Sequence, residues 1–287
     1  PYGDPDFVSA TFLARMMGKP YALFVANSDF DNRPESPARE FLKRFMFKHA
    51  IGCLATGESQ RAYAEAYMSS QGRVKVIGNP APALIGLSSM SGESRREVMR
   101  KELGWADRFV VLYVGRLAKE KGLFDLIAAL KSPELTKNKI HAVFIGNGPC
   151  RKELERYARE GSVSIEFQGL INGLELTRRF LSADVFILPS HSEPWGLVVN
   201  EAMEAGLPVI VSNKVGSGVN MITPSQCGLS FETGVPDSLA SCISLMMNNE
   251  ELRSQLIARA KKVVEEHSIH NWVNAVVESI KGLGVVQ

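Results

Sequence analysis

From residue 108 onward the chain alternates between two patterns of apolar and polar positions. Short, almost unbroken apolar runs occupy 108–114, 141–145, 163–168, 184–188, 207–211 and 228–232. Runs of that length and continuity predict strands covered on both faces, as in a parallel sheet. Between them, apolar residues return every three or four positions over 122–130, 151–160, 174–183 and 196–206, which predicts helices. Further helices are predicted near 236–247, 250–266 and 269–282. Alternation of this kind with short connections implies a doubly wound α/β domain.

Residues 1–80 repeat the pattern in shortened form. A helix-like FVSATFLARMMG precedes the strand YALFVAN, then helix 37–50, strand IGCLATG, helix 58–70 and strand VKVIG. Three strands are fewer than the roughly five or six of a usual sheet. This stretch therefore reads as the second half of another α/β domain whose first half is absent. The stretch 78–94, rich in Gly, Pro and Ser, reads as a linker.

Composition changes this picture little. The 287 residues are 45% hydrophobic and 22% charged, as in an ordinary globular protein, which excludes a mostly disordered chain. A net charge of +2 gives no global field that points to nucleic acid. Cys53, Cys150, Cys227 and Cys242 are scattered, with no C-x-x-C pair, which argues against a zinc site or disulfide framework and fits reduced thiols in the cytosol. No apolar run reaches the roughly 18 residues of a membrane span.

In open α/β sheets, ligands sit beyond the carboxyl ends of the strands. Three such loops carry unusual chemistry. After strand 108–114 come Gly115, Arg116 and Lys121, two cations before a helix start, where backbone N–H groups and side-chain charge together suit an anion such as a diphosphate. After strand 141–145 come Gly146, Asn147 and Gly148, a turn that lets backbone approach a ligand or simply turns the chain. After strand 184–188 comes SHSEPWGLVVNE, with Glu193 and Glu201 eight positions apart. Pro194 and Gly196 exclude Glu193 from a helix that begins near Gly196 or Leu197 and carries Glu201 in its second turn. In one unbroken helix the two acids would lie roughly 80° apart; with the break, both can border one pocket, with the backbone of Trp195, Gly196 and Leu197 between them. Carboxylates beside an anion site make sense when hydroxyls flank the phosphates.

Those strings, VGRLAKEKG, IGNGP and ADVFILPSHSEPWGLVVNEAMEAGLPVIVS, resemble the family 4 retaining glycosyltransferases of the GT-B fold. The resemblance is strong over about 105–232, and its most specific element is the Glu-x7-Glu motif from Glu193 to Glu201. It implies two Rossmann-like domains: an incomplete acceptor-side one over 1–82, a nucleotide-sugar-binding one over 83–267, and a terminal helix over 268–287 that returns toward the first. It implies that Arg116 and Lys121 hold the donor diphosphate, that Glu193 binds sugar hydroxyls, that Trp195, Gly196 and Leu197 line sugar and phosphate, and that Glu201 binds the ribose. The implied reaction needs no metal or cofactor. The donor is a UDP- or GDP-type sugar, and the acceptor is a glycan or lipid-linked hydroxyl. The sequence departs from the pattern at Asn27, Ser28 and Asp29, where relatives often carry a His, and at Asn220, where they tend to carry an acid.

Other readings stand beside this one. Asp4-x-Asp6 and Asp29-x-Asp31 spell a metal-binding signature of a different glycosyltransferase fold, outside its context. His191 reads as a loop residue rather than a catalytic base. A sugar-nucleotide epimerase of the same fold, or a non-catalytic nucleotide-sugar-binding remnant, would share the anion site. Helix 38–50 is basic and amphipathic: Ala38, Phe41, Leu42, Phe45 and His49 form one stripe, and Arg39, Lys43, Arg44 and Lys48 the rest. The stripe is expected to face the core; the alternative is peripheral contact with an anionic membrane, at its cytoplasmic face.

Overall fold

A computed structural model of the chain describes residues 5–27, 36–68, 73–80, 84–161 and 163–284. Two compact units result: Pro1–Pro80 with His267–Gln287, and Ala81–Glu266. In the first, helix α1 (Pro5–Met16) precedes β1 (Ala22–Val25), α2 (Pro37–His49), β2 (Gly52–Ala55), α3 (Glu58–Glu65) and β3 (Val74–Val76). The three strands run parallel in the order β1-β2-β3. Ser36 starts α2 by accepting a hydrogen bond from the Arg39 amide, and Pro37 fills the first helical position, where no amide partner is lost.

The predicted orientation of α2 is corrected in part: Phe45 packs half-buried against the core as expected, but the helix is turned so that other positions are buried most deeply. Its core side is Lys43, Met46 and Phe47, all buried, while Phe41 faces outward. Lys43 is tolerated inside because its ammonium lies 2.9 Å from Glu40 and 4.4 Å from the centre of the Tyr67 ring. The aromatic part of that lining, Tyr67, lies beyond the end of α3, so the periodicity of α2 alone could not assign it.

The second unit contains α4 (Leu87–Met90), α5 (Glu93–Glu102), β4 (Phe109–Val114), α6 (Leu123–Leu130), β5 (Ile140–Ile145), α7 (Arg151–Arg159), β6 (Ser164–Gly169), α8 (Gly173–Ser182), β7 (Val185–Leu188), α9 (Leu197–Glu204), β8 (Val209–Ser212), α10 (Thr223–Ser225), β9 (Leu229–Phe231), α11 (Pro236–Asn248) and α12 (Glu250–Glu266). The last helix, α13 (Ile269–Gly282), belongs to the first unit. Six parallel strands lie in the order β6-β5-β4-β7-β8-β9. Both units are α/β and Rossmann-like with parallel sheets, as the GT-B expectation requires. Strands β4, β5, β7 and β8 are almost wholly buried, which explains their unbroken apolar character. Burial also pushes the Cys53 thiol up to about 12 and Cys227 to about 11, so both stay protonated.

The linker reading of 78–94 fails in its later part, where α4 and the start of α5 lie. Helix α5 has the sequence ESRREVMRKE and was invisible as an apolar stripe because charged side chains anchor it. Arg96 and Arg100 reach Asp184, the residue before β7, at 2.7 and 3.0 Å. Arg100 also donates to the carbonyls of Ser182, Trp105 and Arg108, and Asp184 accepts from the Val110 amide at 2.7 Å. This network ties α5 to the start of β4 and β7. Among the described residues no helix is long and apolar enough to cross a membrane.

Two predictions follow from this packing. Replacing Asp184 with Ala strands two arginines and an amide, and should cost about 3 kcal/mol or more in urea unfolding. His141 is buried between Ser164 (2.8 Å) and Glu166 (3.2 Å), and burial lowers its pKa. Its unfolded form therefore takes up a proton first, at about pH 6.5, and stability should fall as pH drops below that value. Thermal melts of His141→Gln should show a shallower decline.

Candidate functional site

The strand order reverses direction between β4 and β7: the chain leaves β4 toward β5 on one side and leaves β7 toward β8 on the other. The loops after these two strands lie side by side at the carboxyl edge, the usual ligand position in such sheets. Gly115 closes β4, its amide donating to Ile145 O at 2.9 Å. The carbonyl of Arg116 is held by the Tyr113 hydroxyl at 2.8 Å, while its guanidinium is 67% exposed and 3.9 Å from Glu120. Lys121 ends a short 3-10 turn, and its Nζ lies 2.5 Å from Glu193 Oε2 in the loop after β7. These side chains are only 18% and 17% exposed, so water screens the pair weakly.

Backbone contacts hold both partners. The Glu193 amide donates to Lys214 O at 3.1 Å, and its carbonyl accepts from Gly216 at 2.9 Å, which stitches the loop after β7 to the one after β8. Gly122, at φ +63°, follows Lys121; a Cβ there would lie 2.0 Å from the Pro189 carbonyl oxygen. Only glycine lets the two loops approach so closely.

The turn Gly146-Asn147-Gly148 is drawn against the first loop. Asn147 O accepts from the Leu117 amide at 3.0 Å, and Leu117 O accepts from Cys150 at 2.9 Å. A Cβ on Gly146 would meet Gly115 O at 1.9 Å. The backbone that these glycines admit is therefore first of all that of residues 115–117. Asn147 Oδ1 accepts from the Gly148 amide, closing the turn.

Trp195 is buried; its indole donates to Asn200 at 3.2 Å and its carbonyl accepts from Ser217. Gly196 adopts a left-handed conformation at φ +87° and caps α9, which starts at Leu197. Glu193 thus lies outside the helix and Glu201 in its second turn, as the sequence implied. Burial first, and the nearby Glu204 carboxylate second, raise the pKa of Glu201. Glu204 itself accepts from the Leu84 amide at 3.2 Å. Among the described residues, the structure joins Lys121 to Glu193 and leaves Arg116 and Glu201 outside that contact.

The sequence reading missed a second clasp beside the first. His191 Nε2 lies 2.6 Å from Asp125 Oδ2, and the His191 amide donates to Glu120 O at 2.8 Å. Asp125 stands four residues after Lys121, one helical turn away, and that spacing was the available signal. Asp4, Asp29 and Asp31 of the D-x-D readings lie outside the described residues. Among the described residues no group of three or more His, Cys, Asp and Glu side chains could hold a metal. A cleft of about 440 Å³ opens at the opposite edge of the sheet, lined in part by Met90, Arg96, Pro208 and Arg253, and contains none of the predicted site residues.

An anion offered to Lys121 would have to displace Glu193 or share the lysine with it. Glu193→Gln removes that charge and should tighten pyrophosphate binding about tenfold at low salt, equivalent to about 1.4 kcal/mol. Isothermal titration calorimetry checks this; unchanged affinity would mean that Glu193 does not restrain Lys121.

Comparison with known proteins places these loops in context. Residues 95–263 match the family Glycosyl transferases group 1. The chain is 30% identical over 244 residues to the uncharacterized glycosyltransferase MJ1607 of Methanocaldococcus jannaschii, covering 81% of this chain and 62% of that protein. It is 32% identical over 218 residues to the putative teichuronic acid biosynthesis glycosyltransferase TuaC of Bacillus subtilis, covering 74% of this chain and 51% of that protein. The chain therefore spans less than two thirds of the length of either relative. The crystal structure of Anabaena Alr3699/HepE, solved in complex with UDP, is similar with a TM-score of 0.83 at 19% identity, covering 96% of this chain and 76% of that one. At that identity the likeness speaks for the fold. The family match covers more than half of the chain and contains Arg116, Lys121, Glu193 and Glu201, so the chain belongs to the glycosyl transferases group 1 family.

Proposed function

We propose that the protein transfers a hexosyl group from a UDP- or GDP-type sugar to an acceptor hydroxyl of a glycan or glycolipid, with retention of anomeric configuration. The observation that carries this reading is the Lys121–Glu193 contact at the switch point of the sheet. A cation and a carboxylate held together are the two kinds of group that the adjoining phosphate and sugar of such a donor require. Lys121 and Arg116 meet the diphosphate and stabilise the charge that develops on the leaving nucleotide. Glu193 accepts from the sugar hydroxyls, and Glu201 from the ribose diol. The backbone of Gly115 and of Gly146 to Gly148 borders the nucleotide, and that of Trp195, Gly196 and Leu197 the sugar and phosphates.

Retention is consistent with a reaction in which the acceptor approaches on the face that the nucleotide leaves, with the departing phosphate taking its proton. No strong general base in this unit and no metal or cofactor is then required. The UDP complex of HepE supports a uridine donor for this chain. A nucleotide-sugar-binding module or an epimerase would share these contacts and differ in product.

The test is a thermal-shift and calorimetric series with UDP, GDP and their glucose and mannose conjugates. Lys121→Ala should weaken the best ligand about tenfold to a hundredfold, the equivalent of one charge-assisted hydrogen bond. Glu201→Gln should weaken nucleotide binding whether or not a sugar is attached. A ligand shift that survives both substitutions rejects the site. A labelled donor that returns epimerised without an acceptor rejects transfer.

A further inference from the structure

The loops after β4 and β7 meet at more than the Lys121–Glu193 contact, and the remainder has no part in holding a donor. Gly122 packs so closely on the other loop that a Cβ would lie 2.0 Å from the Pro189 carbonyl oxygen and 3.0 Å from His191 Cδ2. Just before Gly122 in the chain, Lys121 reaches Glu193. Just after it, in the first turn of α6, Asp125 reaches His191 at 2.6 Å. A carboxylate only accepts, so His191 Nε2 carries the proton and donates it. The His191 amide donates as well, to Glu120 O at 2.8 Å.

A ligand acts differently on these two side-chain contacts. When an anion occupies Lys121, the lysine is drawn from Glu193, and that link between the loops weakens. Glu193 stays braced, but to Lys214 and Gly216 in the loop after β8 rather than to the loop after β4. His191 and Asp125 are not among the residues assigned to the donor, so their contact persists when the site fills. In the empty protein it adds little, because at 43% and 20% exposure the two side chains are well hydrated.

We propose that His191 and Asp125 are positioning residues of the donor site. They hold the loop after β7 against the start of α6 while a bound diphosphate draws Lys121 away from Glu193. Neither side chain touches the ligand; they act by keeping Lys121 and Glu193 at the spacing that one donor spans. The proposal rests on the donor reading given above and adds to it a pair on which binding depends.

Calorimetric titration of the full chain with UDP, beside thermal melts without ligand, tests it. Asp125→Ala and His191→Ala should each weaken UDP about fivefold, and the double variant by the same factor, because all three lose one contact. His191→Gln, whose side-chain amide donates from nearly the position of Nε2, should bind within about twofold of the wild type. Without ligand, all four variants should melt within about 3 °C of the wild type, as loss of a partly exposed pair allows. Full UDP affinity in both single alanine variants, beside a Lys121→Ala variant weakened about tenfold, overturns the proposal and leaves the donor reading standing. Undiminished affinity in Lys121→Ala overturns both. The proposal also falls if the losses multiply in the double variant, or if His191→Gln binds no better than His191→Ala. A larger drop in melting temperature without ligand overturns it too, since the contact would then be a general structural tie.

Discussion

The ion pair between Lys121 and Glu193 exists because the sheet changes direction between β4 and β7. A parallel strand cannot return directly to its neighbour, so each connection must cross a face of the sheet. Where successive crossings go to opposite sides, the loops after the two central strands are left side by side. Lys121 reaches across from one loop and Glu193 from the other. Gly122 permits the approach, the 214–216 segment braces the acid, and the His191–Asp125 contact fastens the two loops a second time. Removing the reversal would place these residues strands apart.

Holding a cation and a carboxylate together at low exposure has a cost. Each loses hydration, and their attraction offsets that loss only while the geometry is kept. Here the geometry is kept by backbone hydrogen bonds rather than by the pair itself. The pair is therefore fixed by the loops that carry it, and neither side chain has to be ordered by the contact itself. Arg116 is different. Its carbonyl is fixed by Tyr113, but its guanidinium stays largely in solvent, with only Glu120 at 3.9 Å as a charged neighbour given by the structure.

The same economy of charge appears elsewhere in the second unit. Asp184 gathers two arginines and an amide at the amino edge of the sheet, opposite the Lys121–Glu193 contact, and fastens α5 there. In the first unit Lys43 is buried under Tyr67 and beside Glu40, and Phe41 of the apolar stripe is turned outward instead. In each case a charged side chain does what an apolar one does in simpler helices. Such contacts leave no hydrophobic periodicity to read, and for that reason α5 and the orientation of α2 were not legible.

By itself the chain's hydrophobic pattern determined the strands and most helices of the second unit. Unbroken apolar runs and three-to-four-residue periodicity are local consequences of which faces must be buried. Pro194 and Gly196 likewise determined that Glu193 lies outside α9 and Glu201 within it, because backbone dihedral preferences act within a few residues. Only the tertiary structure decided which predicted site residues meet. Lys121 and Glu193 are 72 positions apart, and no local preference relates them. The reversal of strand order brings them together, and it left Arg116 in solvent and paired His191 with Asp125 by the same step. Long-range pairing is set by the packing of whole elements, and that is where the sequence alone falls silent.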